Sequence, residues 1–200
     1  MKKILSFIFI LLIYFGVSAQ SDFKTQISTA KSSYTGGKLE DTHFALQQAL
    51  SEIDMTIGKE ILKLLPEKMA MAAVNPKEDH VTSNLGLAGA TVHRSYGDNP
   101  ALVEFELISN SPLVSTLNMF LNTPLMGGMM RDENTKTIKV QGYKARLEKQ
   151  NGSIENEFNY QVQIPFGNAL LTFTANKSTE NDAIKLINTL PLQQIAKLVQ

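Results

Sequence analysis

The spacing of apolar residues changes once along this chain, and that change constrains the fold more than any other feature. As far as Leu65-Pro66, apolar residues recur every three or four positions, as on one face of an α-helix. After Gly89 they alternate with polar residues, as in strands that bury one face. We therefore predict an α+β protein, in which an N-terminal antiparallel helical hairpin is followed by an antiparallel β-sheet covered by helices.

Two helices are predicted in the first part. The first carries Phe23, Ile27, Ala30 and Tyr34 at helical spacing and ends at Gly36-Gly37, because glycine accepts the left-handed conformation found at helix ends. The second runs from near Leu39 to the residue before Pro66. Its apolar stripe consists of Leu46, Leu50, Ile53, Ile57, Ile61 and Leu64, with the small residues Ala45 and Ala49 alongside.

Strands and short helices are predicted in the second part. The predicted strands are Gly89–Tyr96, a segment around Val103, Phe105 and Leu107, Ile138–Leu147, Glu157–Ile164 and Ala169–Ala175. The predicted helices begin at Pro112, at Asn181 and at Pro191. We divide the chain into a signal peptide at 1–19, a helical hairpin at 20–75, a polar linker at 76–84 and an antiparallel α+β sandwich at 85–200.

The first twenty residues have the three parts of a secretory signal. Lys2 and Lys3 are followed by the apolar run Ile4–Val17 and by the small-residue site Val17-Ser18-Ala19. As a helix, that run would span about 21 Å, which is less than the roughly 30 Å of a bilayer's hydrocarbon core. We therefore predict cleavage after Ala19, a periplasmic or secreted protein, and no stable membrane insertion after cleavage. An uncleaved membrane anchor is the alternative.

The composition excludes several classes of protein. The chain has no Cys, which excludes both disulfides and a lipid anchor on cysteine. Its 19 basic and 19 acidic residues become 17 and 19 once Lys2 and Lys3 are removed. Such a balance does not favour binding to nucleic acid, so we expect no nucleic-acid partner.

Two stretches resemble known families. The segment from Ala30 to Leu46 resembles a single tetratricopeptide-type hairpin. Gly89-Ala-Thr-Val-His-Arg-Ser-Tyr96, Gly142-Tyr-Lys-Ala145 and the ending Leu190-Pro-Leu-Gln-Gln-Ile-Ala-Lys-Leu198 resemble exported bacterial proteins with a PsbP-like α/β/α sandwich. That resemblance covers roughly residues 85 to 200. It implies a sandwich fold and a non-catalytic accessory or binding role, and it supplies no active-site residues.

The loop Asn122–Asn134 contains the most unusual local sequence. We predict that Leu125, Met126, Met129 and Met130 form a binding site, because an apolar loop around Gly-Gly can contact a ligand or partner. Methionine also fills irregular gaps in protein cores, and its thioether is a ligand for Cu(I), so both of these interpretations stay open.

No constellation of residues specifies a reaction. His43, His80 and His93 lack metal-ligand spacing, and we predict no metal site and no cofactor. His93 and Ser95 share a strand face without an evident third member of a triad, and the carboxylates Glu104 and Glu106 have the pattern of a solvated surface. We predict no catalytic residues.

The sequence thus favours a non-enzymatic binding or accessory protein, although it leaves the question of enzymatic activity open. The expected partner is a protein or an apolar small ligand. The alternatives are an interaction scaffold that uses the helical hairpin and, less favoured, a periplasmic hydrolase.

Overall fold

In the computed structural model of the 200-residue chain, the structure describes residues 23–84, 89–98, 102–122 and 133–199. The predicted signal peptide lies outside these ranges. The helices are α1 (Phe23–Thr35), α2 (Leu39–Leu64), α3 (Leu113–Asn122), α4 (Glu180–Ile187) and α5 (Leu192–Val199). The strands are β1 (Lys68–Met69), β2 (Ala72–Ala73), β3 (His80–Asn84), β4 (Gly89–Tyr96), β5 (Val103–Ile108), β6 (Thr135–Val140), β7 (Tyr143–Asn151), β8 (Phe158–Phe166) and β9 (Ala169–Ala175).

Seven of these strands form one antiparallel sheet in the order β3-β4-β5-β9-β8-β7-β6. The predicted α+β class, with a helical hairpin ahead of an antiparallel sheet covered by helices, is confirmed. Strict alternation places one set of side chains on an inner face, where β5 buries Val103, Phe105 and Leu107 as predicted. The helices α2, α4 and α5 contribute residues to the core on this face. The outer face carries α3.

The helical hairpin has the predicted form. Gly37 adopts a φ of 72°, a conformation that glycine accepts without a steric penalty, and the chain reverses there between α1 and α2. Ala30 of α1 and Ala45 and Ala49 of α2 are buried. Their small side chains allow the two helices to pack closely.

The C-terminal end of α2 is bound to the sheet through Arg94 of β4. Its Nη1 donates to the carbonyl oxygens of Leu62 and Leu65, at 2.9 and 3.2 Å. Its Nε and Nη2 donate to the two carboxylate oxygens of Asp79, at 2.9 and 2.5 Å. A cation at this position adds a hydrogen-bond donor to carbonyls at the end of the helix, where the Leu62 carbonyl also accepts from the Leu65 N–H, and it complements the negative end of the helix dipole. The last turn of α2 is therefore held against the sheet by these hydrogen bonds.

The predicted single strand Ile138–Leu147 is wrong, because the chain turns in the middle of it. Gln141 and Gly142 have φ values of 49° and 91°, and β6 and β7 pair as a tight hairpin around them. Two consecutive residues with positive φ match the right-handed twist of the flanking strands, and glycine makes that conformation accessible. The segment is therefore two strands.

The predicted linker at 76–84 also contains regular structure. His80–Asn84 forms the edge strand β3, which pairs with β4 from His80↔His93 to Asn84↔Gly89. An edge strand needs few buried side chains, and Val81 packs against the core while its neighbours are polar, which explains why the segment has the composition of a linker. The division into two domains remains a prediction.

The segment Glu67–Val74 contains β1 and β2, which pair with each other. Ala70, in the turn between them, has a φ of 51°. Within the ranges that the structure describes, no helix combines the length and apolar character needed to cross a membrane.

Candidate functional site

A groove of about 430 Å³ lies between α3 and the outer face of the sheet. We call it the α3 groove. Its lining residues are Leu113, Thr116, Leu117, Met119, Phe120, Thr135, Arg146, Gln163 and Leu170. Most of them are apolar, and the volume falls within the range of small-molecule sites.

The local sequence explains how α3 comes to stand over the sheet. Ser111-Pro112 starts the helix as predicted, and the Ser111 hydroxyl oxygen accepts from the backbone N–H of Leu113 at 3.4 Å. Val114, Leu117 and Leu121 recur on one side of the helix and form a small second core with Leu170 of β9. This attachment is narrow, so the neighbouring side of α3 remains separated from the sheet and forms one wall of the groove.

Polar residues of β7 and β8 form the floor of the groove. Arg146 and Gln163 are directly opposite each other across the two strands, and Arg146 Nη1 donates to Gln163 Oε1 at 3.1 Å. Arg146 also pairs with Glu148, at 2.8 Å between Nη2 and Oε2. The guanidinium carbon lies 5.7 Å from the centre of the Phe120 ring, which is within cation–π range. These contacts hold Arg146 in place and leave its charge largely balanced.

The predicted binding residues Leu125, Met126, Met129 and Met130 lie outside the described residues. They follow α3 in the sequence, and their role stays a prediction. Met119, which precedes them in the sequence, is exposed and lines the groove.

The structure places the other residues considered from sequence away from the groove. His80 and His93 stack with their ring centres 4.8 Å apart, on the outer face of β3 and β4. Ser95 is buried, and its hydroxyl donates to Glu78 rather than to His93. Across the part of the chain that the structure describes, no three His, Asp or Glu side chains lie close enough together to hold a metal ion.

The two carboxylates of β5 lie on the outer face. Glu106 is directly opposite His93 in the pairing of β4 with β5, and Glu104 accepts from Asn176 Nδ2 at 3.1 Å. Both side chains are half-buried. Glu104 thus has a hydrogen-bond partner within the fold, and neither carboxylate lines the α3 groove.

The sequence did not reveal the floor residues Arg146 and Gln163. The sequence does contain a pattern that could have indicated Arg146. It stands between Ala145 and Leu147, and both of these neighbours are buried. The alternation places Arg146 on the outer face, but only the pairing of β7 with β8 brings it opposite Gln163.

Comparison with models of known protein families and with characterised proteins finds no match.

Proposed function

We propose that this protein is an exported, non-enzymatic binding protein that holds an apolar small ligand in the α3 groove. The observation that carries the proposal is the groove itself, with walls from Leu113, Leu117 and Phe120 and a floor at Arg146 and Gln163. Apolar concave sites with a few converging polar groups are the usual form of ligand sites in proteins.

The charges of the floor suggest the chemistry of the ligand. Because Arg146 is already paired with Glu148, the floor does not offer a free positive charge to a strong anion. The hydroxyls of Thr116 and Thr135 and the side-chain amide nitrogen of Gln163, whose Oε1 accepts from Arg146, add hydrogen-bonding groups to the lining. This set suits an apolar molecule with a neutral hydrogen-bonding end, and none of these side chains is a general base that would support catalysis.

Two sequence features support the rest of the proposal. The N-terminal Lys2-Lys3, apolar run and Ala19 site support export to the periplasm or the exterior with cleavage after Ala19. The PsbP-like resemblance of residues 85–200 supports an accessory role, and the placement of helices on both faces of the sheet is compatible with it.

Ligand binding in the α3 groove is tested with a larger side chain that fills part of the groove. Thr116 lines the groove, whereas Ser115, the preceding residue of α3, is exposed and does not line it. Phenylalanine at 116 occupies ligand volume, so Thr116→Phe should weaken binding of the neutral dye N-phenylnaphthylamine about tenfold or more. Titration of dye fluorescence against the mature protein measures the dissociation constant.

Ser115→Phe is the matched control, because it adds the same ring to the same helix outside the groove. It should leave the dissociation constant within about twofold of the parent. The proposal is wrong if the parent shows no saturable dye binding, or if both variants change binding equally.

A further inference from the structure

The N-terminal part of α2 carries a row of mostly apolar and mostly exposed side chains at coiled-coil spacing. Positions 39, 43, 46, 50, 53 and 57 alternate steps of four and three residues, as do the contact positions of a heptad repeat. We call this row the seam; it consists of Leu39, His43, Leu46, Leu50, Ile53 and Ile57. Leu39 is 66% exposed, Leu46 44%, Leu50 61% and Ile53 41%.

The fold leaves the seam uncovered for a geometric reason. Ala45 and Ala49, which are buried in the hairpin, each precede a seam residue by one position and so lie about 100° away around the helix. At its C-terminal end the seam continues into the side of α2 that packs on the sheet, where Ile57 contacts the core and Ile61 is buried. The side of α2 that packs on the sheet near Ile57 and Ile61 therefore continues, as the seam, past the edge of the sheet.

Scattered exposed leucines are ordinary on proteins, but Leu46, Leu50 and Ile53 lie next to one another on one side of α2, and adjacent exposed apolar side chains mark an interaction site. A second helix can pack against such a row, because side chains at alternating three- and four-residue spacing interdigitate with those of another helix. Phe23 and Ile27 of α1 are also exposed, at 40% and 41%, and add apolar surface to the hairpin.

The charges that flank the seam are acidic on one side. In the heptad frame, Glu40, Gln47 and Asp54 occupy one flank, and Thr42, Ala49 and Thr56 occupy the other. Burial raises the pKa of Asp54 from its ordinary value, because the half-buried carboxylate is partly removed from water. This flank is complementary to a positive charge.

The same charges argue against a second copy of this chain as the occupant. Two antiparallel seams in full register would place Glu40 of each copy against Asp54 of the other, and like charges at these positions repel. If the two seams were parallel, the sheets of both copies would lie at the same end of the paired helices, near Ile57 and Ile61. The second sheet would then compete for the space that the first already occupies.

We propose that the seam docks one amphipathic helix of a partner protein, with Leu or Ile at alternating three- and four-residue spacing and Lys or Arg facing Glu40 and Asp54. This inference is independent of ligand binding in the α3 groove. It specifies the chemistry of a protein partner for the hairpin.

The test uses the full mature chain and two designed helical peptides of about three heptads. Both carry Leu and Ile at the seam-facing positions, and they differ only in having Lys or Glu at the flanking positions. Fluorescence anisotropy of the labelled peptides should show saturable binding of the Lys peptide, about tenfold or more tighter than that of the Glu peptide. The double variant Leu46→Ser, Leu50→Ser should weaken it at least about thirtyfold.

Two further variants make the result specific. Met71→Ser removes an apolar side chain that is 97% exposed outside the seam, and it should leave binding unchanged. The double variant Glu40→Lys, Asp54→Lys keeps the apolar row and should reverse the preference, so that the Glu peptide binds more tightly.

Absence of saturable binding by the Lys peptide overturns the proposal, and so does equal binding of the two peptides. Sedimentation velocity provides a separate readout. A dimer of the parent that the double serine variant abolishes would assign the seam to a second copy and overturn the proposal as well.

Discussion

At the scale of single residues, Tyr96 and Arg94 of β4 tie the helical hairpin to the sheet. Tyr96 is fully buried, and its hydroxyl donates to the carbonyl oxygen of Pro66 at 2.8 Å. Burial raises its pKa from the ordinary 10.0 to about 12, and the nearby guanidinium of Arg94 opposes part of that shift. The folded state therefore favours the protonated phenol, which is the form that donates this hydrogen bond.

This burial predicts a specific loss of stability in alkali. The pKa of Tyr96 is higher in the folded state than in the unfolded state, so its contribution is complete below about pH 10 and is lost as the pH rises towards 12. The free energy of unfolding should fall by up to about 2 to 3 kcal/mol across this interval. Urea unfolding at a series of pH values measures it.

Tyr96→Phe is the control for this prediction. It removes the ionisable group together with one hydrogen bond, so at neutral pH it should cost about 1 kcal/mol. Above about pH 10 its stability should fall less steeply than that of the parent. Equal slopes in the two proteins would show that Tyr96 does not control the alkaline transition.

At the scale of elements, the contact of α2 with the sheet depends on Gly58. A Cβ added there would overlap Val81 Cγ1 of β3 and lie 3.1 Å from Val92 Cγ2 of β4. Glycine costs up to about 1 kcal/mol in a helix relative to alanine. Here it is needed because the helix backbone approaches two valines closely.

We predict that Gly58→Ala destabilises the protein despite its higher helix propensity. The overlap should cost about 1 to 3 kcal/mol and exceed the gain in propensity. Chemical denaturation of four proteins measures the effect: the parent, Gly58→Ala, Val81→Ala and the double variant. The double variant should recover part of the loss, because truncating Val81 makes room for the new methyl group.

Lys59→Ala is the matched control, because this exposed neighbour on α2 should change the stability by less than about 0.5 kcal/mol. A Gly58→Ala variant more stable than the parent would show that β3 moves aside at little cost.

The elements also show how far sequence reasoning reached. The helices and most strands follow from periodicity, because a buried face imposes a period of 3.6 or 2 on the apolar residues. The β6–β7 hairpin was missed, since Val140 and Tyr143 flank a turn of only two residues and the apolar pattern continues across it. Once the two strands are read as one, the register that places Arg146 opposite Gln163 cannot be derived.

At the scale of the whole molecule, the fold class could be predicted from the sequence. Which distant elements pack against each other could not. In the sequence, the apolar stripe of α2 continues at helical spacing without a break from Leu46 to Leu64. In the structure Leu46, Leu50 and Ile53 are exposed, whereas Ile57 and Ile61 pack on the core. Whether a stripe is covered depends on which distant strands lie beneath it, and local spacing does not contain that information. The contacts of Arg94 with Leu62 and Leu65 are non-local in the same way.

This assembly predicts different results from two truncations of a protein that comprises residues 20–200. Removing residues 20–38 deletes α1, whose contacts are chiefly with α2, and should leave a cooperatively unfolding protein with a lower melting temperature. Removing residues 20–66 also deletes Ile61 and Leu65 from the core and removes the carbonyls that Arg94 binds. Each buried aliphatic side chain contributes about 1.5 to 3 kcal/mol, so the combined loss is comparable to the net stability of a domain.

Near-ultraviolet circular dichroism and thermal melts distinguish the outcomes. A native-like spectrum with a cooperative melt after the longer deletion would mean that the sandwich folds without α2, and that the hairpin is a separate domain after all.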